Sequence, residues 1–257
     1  MSDIHSTAIV SSEASIGKDV SIGPYVIVEG NVSIGDGCKI GSHSVIKEYT
    51  RLGKNNVVHE HVVLGGTPQD FKFSQCESFL ETGEGNVFRE GVTVHRSNTA
   101  GKKTVIGNNN FIMANAHVAH DCILGDSIIM ANGVLLGGHV TIEDRAFLSG
   151  VVTVHQFCHI GTLAMLGASA RINQDCLPYM IIDGAPGRVR GLNLIGLKRA
   201  GFNSKDISLL KQAMKILFGH GNLADKIVEM KKSSSQEVQH LVDFIQASDR
   251  GFTHKSR

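Results

Sequence analysis

The chain has 257 residues, with 25 Lys and Arg against 24 Asp and Glu, and no Trp. A net charge of +1 argues against bulk nucleic-acid binding, which needs a concentrated basic surface, and the length is ample for a sizeable core. No apolar run reaches transmembrane length, Met1 to Val10 lacks the apolar centre of a secretory signal, and five Cys without a CxxC pair predict a reduced, cytoplasmic protein.

From Ile4 an aliphatic residue recurs every six positions: Val10, Ile16, Ile22, Val28, Ile34 and onward to Ile172. Only Asp70, Cys76, Thr82, Phe88 and Ala100 break this series of Ile, Val, Leu and Met. Those four residue types fill roughly a quarter of positions in an ordinary chain, so the beat is not chance. A period of six fits neither an α-helix nor a two-residue alternation. Two positions before each aliphatic stands a small or β-branched residue, as at Ala14, Val20, Val32, Cys38 and Ala146, and a Gly often follows, as at Gly17, Gly35, Gly53, Gly107 and Gly125. The pattern predicts short strands wound round a narrow interior, each pointing one large and one small residue inward. The glycines are expected at the corners, where positive φ carries no steric cost.

The beat lapses over 65–81 and again over 99–104, and resumes in phase both times. Both segments therefore read as loops bulging from a continuous solenoid, and in repeat proteins insertions on one face often form the binding face. The first holds Thr67-Pro68-Gln69-Asp70-Phe71-Lys72; the second is short, polar and basic. After Ile172 the punctuation Leu177-Pro178 and Ala185-Pro186-Gly187 marks a transition, and the remainder reads helical. Ser204 is the expected cap of one helix, Asn222 opens a second over 223–230, and Ser235 opens a third over 238–245. This tail can also cover the unpaired strand edges at the end of the solenoid.

The beat resembles the hexapeptide-repeat family. The resemblance implies a mainly β fold: a left-handed parallel β-helix of about ten coils with two loop excursions, three hexads to a coil, followed by a small C-terminal α-helical domain. The expected boundaries are 1–190 and 191–257.

With coils of 18 residues, residues 18 apart stack at ~4.8 Å. Asp121 then lies beneath His139, and His120 shares a column with Gly138 and Gln156. His117 and His155 flank the same edge. A histidine beside a carboxylate, next to a glycine with an exposed N–H, has the makings of a general base with an oxyanion donor. Cys122, Cys158 and Cys176 fall in one column at the small inward position and read as core.

Residues 111–122, which include His117-Val118-Ala119-His120-Asp121-Cys122, together with Gly138-His139, His155-Gln156-Phe157-Cys158 and Gly196-Leu197-Lys198-Arg199, closely resemble the UDP-N-acetylglucosamine acyltransferases. The resemblance spans nearly the whole chain. It implies transfer of an (R)-3-hydroxyacyl group from acyl carrier protein to the glucosamine 3-position, early in lipid A biosynthesis, by a homotrimer with sites between subunits. It further implies His120 as general base, Asp121 as its orienting partner and the Gly138 amide as oxyanion donor. His117, His139, His155 and Gln156 would line the substrate; Gln69, Asp70 and Lys72 would contact the sugar nucleotide or acyl group; Asn193 and Arg199 would hold the nucleotide; Ala168 would set acyl-chain length. No cofactor or metal is implied beyond the phosphopantetheine of the carrier. The basic strip Arg188, Arg190, Lys198, Arg199 and Lys205 suits phosphates and an acidic carrier.

Two positions depart from the pattern: Ile195 stands where relatives often carry an acid, and Ala200 where they often carry Arg. A 3-hydroxyl and a 3-amino acceptor both remain open. Two rivals are a hexapeptide-repeat carbonic anhydrase, with zinc on His117, His120 and His139, and a non-catalytic trimeric scaffold.

Overall fold

The computed structural model describes residues 2–255. Short strands, mostly of two residues, alternate between three parallel sheets. Sheet I begins at Asp3–Ile4, sheet II at Ile9–Val10 and sheet III at Ser15–Ile16, and each pairs with the strand one coil on: Asp3 with Ser21, Ile9 with Ile27, Ser15 with Ser33. The result is a left-handed parallel β-helix of triangular section. Among the described residues the sheets hold 11, 9 and 8 strands, the largest including Met180–Asp183 and Arg188–Leu192 beyond the hexads.

The inward pattern is as expected. Val20, Ile22, Val26, Val28, Val32 and Ile34 are all buried, as are Ala116, Val118, Cys122 and Leu124, and one continuous core runs into the helices. Each buried aliphatic contributes roughly 1.5–3 kcal/mol, an upper figure because the unfolded chain already hides part of it.

The corners differ from expectation. The positive-φ residue of each hexad stands three before the aliphatic and is mostly not Gly: Asp19, Tyr25, Asn31, His43 and on to Asp121, His139 and Phe157. Gly17, Gly35, Gly53, Gly107 and Gly125 are absent from this set. Their reason is close approach: a Cβ on Gly17 would fall 2.7 Å from the Asp36 backbone nitrogen, and one on Gly35 2.7 Å from the Gly53 carbonyl carbon. The left-handed conformation costs ~1–2 kcal/mol at a non-Gly residue, less for Asn and Asp, and persists because stacking above and below dictates it.

Both excursions leave from the edge where sheet II passes to sheet III. The first joins Val63–Gly66 to Phe79–Thr82 and the second joins Thr93–His95 to Lys103–Ile106. Residues paired across them, Val57 with Val87 and Thr93 with His117, are separated by the usual coil plus whole hexads, which is why phase survives.

After the last hexad, Met180–Asp183 continues sheet I and pairs antiparallel with Arg188–Leu192. The expected boundary at 190 falls inside this second strand. Among the described residues four helices follow: α1 Leu194–Arg199, α2 Ser204–Leu217, α3 Leu223–Met230 and α4 Gln236–Ala247. Asn222 and Ser235 cap α3 and α4 as expected, whereas α2 is capped by Asn203 rather than Ser204. The Asn203 side chain accepts from Asp206 N, and the Asp206 carboxylate accepts from Asn203 N, so the reciprocal box favours the earlier residue. The tail then returns to the solenoid, Phe252 bridging Asp175 and Lys255 bridging Val189.

Helix α4 is tied to the last coils by a polar cluster. Glu143 Oε1 lies 3.1 Å from His159 Nε2, and Glu143 Oε2 lies 3.0 Å from His240 Nε2, while His240 Nδ1 lies 2.8 Å from the Tyr179 hydroxyl. Burial raises the Glu143 pKa, but His159, His240 and Thr162 overcome it and hold the carboxyl well below its usual range. Glu143 in turn raises His240 above its ordinary value against the opposing effect of burial.

Candidate active site

The II–III edge gathers the expected dyad. His117–Val118 is a strand of sheet II, and the chain turns at Ala119-His120-Asp121 before entering sheet III at Ile123–Leu124. Asp121 takes the left-handed corner conformation, φ 60, which folds its carboxylate back toward the preceding imidazole. His120 Nδ1 lies 2.8 Å from Asp121 Oδ2. An ionised carboxylate only accepts, so Nδ1 carries the proton and Nε2 presents a lone pair.

Asp121 is ionised for stated reasons. Burial pushes its pKa up, but the Ser97 hydroxyl, the His120 ring, the Asn98 amide and the nearby His139 together hold it below the ordinary value. Ser97 Oγ donates to Asp121 Oδ1, and Asn98 N donates to Oδ2 at 3.1 Å. The Asp121 amide donates to Thr104 Oγ1 at 2.8 Å. Both carboxylate oxygens and the backbone are thereby fixed.

One coil on, Gly138 lies against the His120 ring. A Cβ there would stand 2.7 Å from His120 Cε1 and 2.8 Å from Nε2, so only glycine admits the imidazole. The Gly138 amide donates to no group among the described residues, although its carbonyl accepts from Phe157 N. At the III–I edge, by contrast, outward amides such as those of Lys18, Asn108 and Asp126 are each capped by a carboxylate one coil on. An open N–H beside an imidazole nitrogen has the chemistry to serve a developing oxyanion.

His139 sits with Nε2 3.8 Å from Asp121 Oδ2, its ring edge-on to His120 and stacked on Phe157 at 4.6 Å. The first excursion reaches the same place, for Asp70 Oδ2 accepts from Asn98 Nδ2 at 3.1 Å and Oδ1 from Lys72 N at 2.9 Å. The Lys72 amide, with help from Asn98 and the nearby His120, keeps Asp70 below the ordinary carboxylate value. Gln69 and Lys72 are exposed on this loop. His117 points along sheet II, its Nδ1 2.7 Å from Thr93 Oγ1, with a pKa lowered by burial and then by His120. His95, edge-on to His117, is pushed down to about 4 by burial first, and both rings stay neutral. His155 and Gln156 are exposed on the coil above.

Three expected residues stand elsewhere. Asn193 is buried as the cap of α1, its Oδ1 accepting from Gly196 N and its Nδ2 donating to Leu163 O beside the III–I edge. Arg199 is exposed in the last turn of α1, and Ala168 is exposed at the I–II edge. Nothing within one chain brings these three to His120. For zinc, the ligand atoms at this edge within 4.8 Å of one another belong to His120, Asp121 and His139, whereas His117 is engaged by Thr93.

Sequence reasoning missed Ser97, Asn98 and Thr104. A signal for Ser97 existed: the pairing of Thr93 with His117 sets an offset that, applied to Asp121, lands on Ser97. Phe157, one coil above His139, was within reach of the same column logic.

A profile described as UDP-N-acetylglucosamine O-acyltransferase, domain 2, matches residues 175–253, and the bacterial transferase hexapeptide profile matches 13–48 and 103–138. An acyl-acyl-carrier-protein–UDP-N-acetylglucosamine O-acyltransferase of Thermodesulfovibrio yellowstonii is 44% identical over 98% of this chain and 99% of its own length. The chain belongs to the UDP-N-acetylglucosamine O-acyltransferase family. A member from Agrobacterium fabrum is 40% identical over 99% of this chain and 96% of its own. The solved UDP-N-acetylglucosamine acyltransferase of Bacteroides fragilis superposes with a TM-score of 0.95 at 37% identity, covering 97% of this chain and 99% of that one. The Francisella novicida acyltransferase gives 0.95 at 34%, covering 99% and 95%. The cores of these acyltransferases are thus the same wound prism.

Proposed function

We propose that this enzyme transfers an (R)-3-hydroxyacyl group from acyl carrier protein to the 3-hydroxyl of UDP-N-acetylglucosamine, in lipid A biosynthesis. The observation that carries the reading is the His120 Nδ1–Asp121 Oδ2 contact of 2.8 Å beside an unpartnered Gly138 amide, in a chain of this family. His120 Nε2 takes the hydroxyl proton as the sugar oxygen attacks the thioester carbonyl. The Gly138 N–H receives the resulting oxyanion. Collapse expels the carrier thiol, which leaves with the proton held by His120, and Asp121 keeps the imidazole in the reactive tautomer throughout. The thioester supplies the driving force, so no bound cofactor is required.

His139, His117, His155 and Gln156 line the substrate, and Gln69, Asp70 and Lys72 contact the sugar nucleotide or acyl group. Asn193, Arg199 and Ala168 lie at other edges, and a homotrimer lets a neighbouring copy present them. The outer faces support assembly: sheet II shows Ile9, Ile27 and Leu135 to solvent, and sheet III shows Ile123 among the polar Ser15, Ser33 and Arg51. Apolar outer faces mark association surfaces. Exposed Lys198, Arg199 and Lys205 suit an acidic carrier, and five free cysteines suit a cytoplasmic setting. No helix among the described residues is long and apolar enough to cross a membrane.

The test is incubation with UDP-N-acetylglucosamine and carrier thioesters of graded chain length, read by product mass. Ala168 in place of Gly predicts a preference short of the longest chain, and the product mass separates O- from N-acylation. His120→Ala keeps its fold and loses about 10²–10⁴ in kcat, and Asp121→Ala loses less. Wild-type rates in both variants overturn the mechanism.

A further inference from the structure

The root of the second excursion touches both the dyad and the acceptor loop, and nothing in the mechanism above uses it. Ser97 is fully buried, with its amide donating to Phe79 O at 3.2 Å and its carbonyl accepting from Ser78 Oγ at 2.5 Å, so its backbone is pinned to the strand Phe79–Thr82. Its hydroxyl donates to Asp121 Oδ1 and accepts from Thr99 N at 3.0 Å. Asn98 then makes two connections from consecutive groups. Its backbone N–H serves Asp121 Oδ2, the oxygen that faces His120, and its side-chain amide serves Asp70 Oδ2 on the first excursion, at 3.1 Å each.

We infer that Ser97 and Asn98 are positioning residues for the acyl transfer: Ser97 fixes the rotation of the Asp121 carboxylate, and Asn98 holds the Asp70 loop in register with the dyad. The inference rests on the acyltransferase reading. The physical argument is geometric. A carboxylate two bonds from the backbone can swing either oxygen toward the imidazole or away from it. With Oδ1 held by a buried hydroxyl and Oδ2 by an amide, one orientation survives, and it directs Oδ2 at His120 Nδ1. The Asn98 amide has a second consequence. Asp70 and Asp121 are both ionised in the same neighbourhood, and a neutral donor between them offsets their repulsion, where any acid at 98 would add to it. The acceptor loop is therefore held at a set distance from the base by one side chain. Arg96 strengthens the anchorage: it is buried, bonds Glu48 Oε1 at 3.0 Å and stacks over Phe73 of the first excursion at 5.9 Å.

The two residues separate kinetically. With saturating acyl carrier protein thioester, Ser97→Ala lowers kcat about 10–100-fold, the value of a buried hydrogen bond to a charged group, with the KM for UDP-N-acetylglucosamine unchanged. Ser97→Thr, which keeps the hydroxyl, recovers most of the loss. Asn98→Ala leaves the backbone donor in place, so it raises that KM several-fold and changes kcat little. Circular dichroism and thermal melting of each variant establish that the fold is retained, and if Ser97→Ala does not fold, Asn98→Ala carries the test. A Ser97→Ala enzyme with wild-type kcat overturns the inference, as does a loss that Thr fails to restore, or an Asn98→Ala enzyme with unaltered KM. A wild-type protein that transfers no acyl group sinks the underlying reading instead.

Discussion

Among the prism's histidine–carboxylate pairs, His59–Glu60 and His120–Asp121 stand at different edges. At the I–II edge His59 Nδ1 lies 3.8 Å from Glu60 and 3.8 Å from Glu90, with His59 33% and Glu60 49% exposed, and Glu90 already gripped by Arg89 at 2.8 Å. At the II–III edge His120 and Asp121 stand at 2.8 Å and are 12% and 9% exposed. Both pairs ride on the same wound backbone. The I–II edge even has the finer aromatic ladder, Tyr25, His43 and His61 stacked at 5.0 and 5.1 Å. What distinguishes the second pair is the company brought by the excursions: Ser97 and Asn98 hydrogen-bond the Asp121 carboxylate, and Asp70 holds Asn98 in turn. Stacking supplies columns everywhere, and the insertions close over this one.

Three experiments sharpen that contrast. The largest effect comes from Gly138→Ala, whose Cβ drives into the His120 ring and displaces both base and oxyanion donor; kcat falls about 10²–10³-fold, read against an unchanged far-UV spectrum. The second concerns the cap. His240 has a folded pKa raised from 6.5, so its share of stability is complete below that value and drains as pH climbs through the folded pKa. Glu143 has a lowered pKa, so its share is complete above 4.5 and disappears in acid. Between these limits the tie from α4 to the coils is strongest. Thermal midpoints should drop by about 2–4 °C from pH 6 to pH 9, a fall that His240→Ala abolishes. The smallest effect belongs to the other edge: His59→Ala changes kcat by less than about twofold, since an exposed, screened pair contributes little. A large loss there would erase the distinction between the edges.

Much of this was legible in the residues. The beat from Ile4 to Ile172 announces the solenoid because burial on a narrow axis imposes the same inward choice on every hexad. Column arithmetic brings His120 to Gly138 and Asp121 to His139 for the same reason. The corners were misassigned because glycine has two uses, positive φ and close approach, and Gly17 and its counterparts serve the second. Ser97 escaped because it lies across an insertion, where column arithmetic needs the length of the detour. Ala168 stands two coils and two hexads beyond His120, so column arithmetic already puts it at another edge, whereas Asn193 and Arg199 lie past the beat, which says nothing of where they fall.

The way the detours are spliced in has a further consequence. From Lys103 to His120 the chain follows the winding, six residues to a wall. A single residue removed from that wound stretch would exchange inward and outward side chains in the hexads that follow, whereas the detour between Thr93–His95 and Lys103–Ile106 stands outside the winding. The detours can therefore change length between fixed ends, and such variation reshapes the rim around His120 without disturbing the winding that holds it.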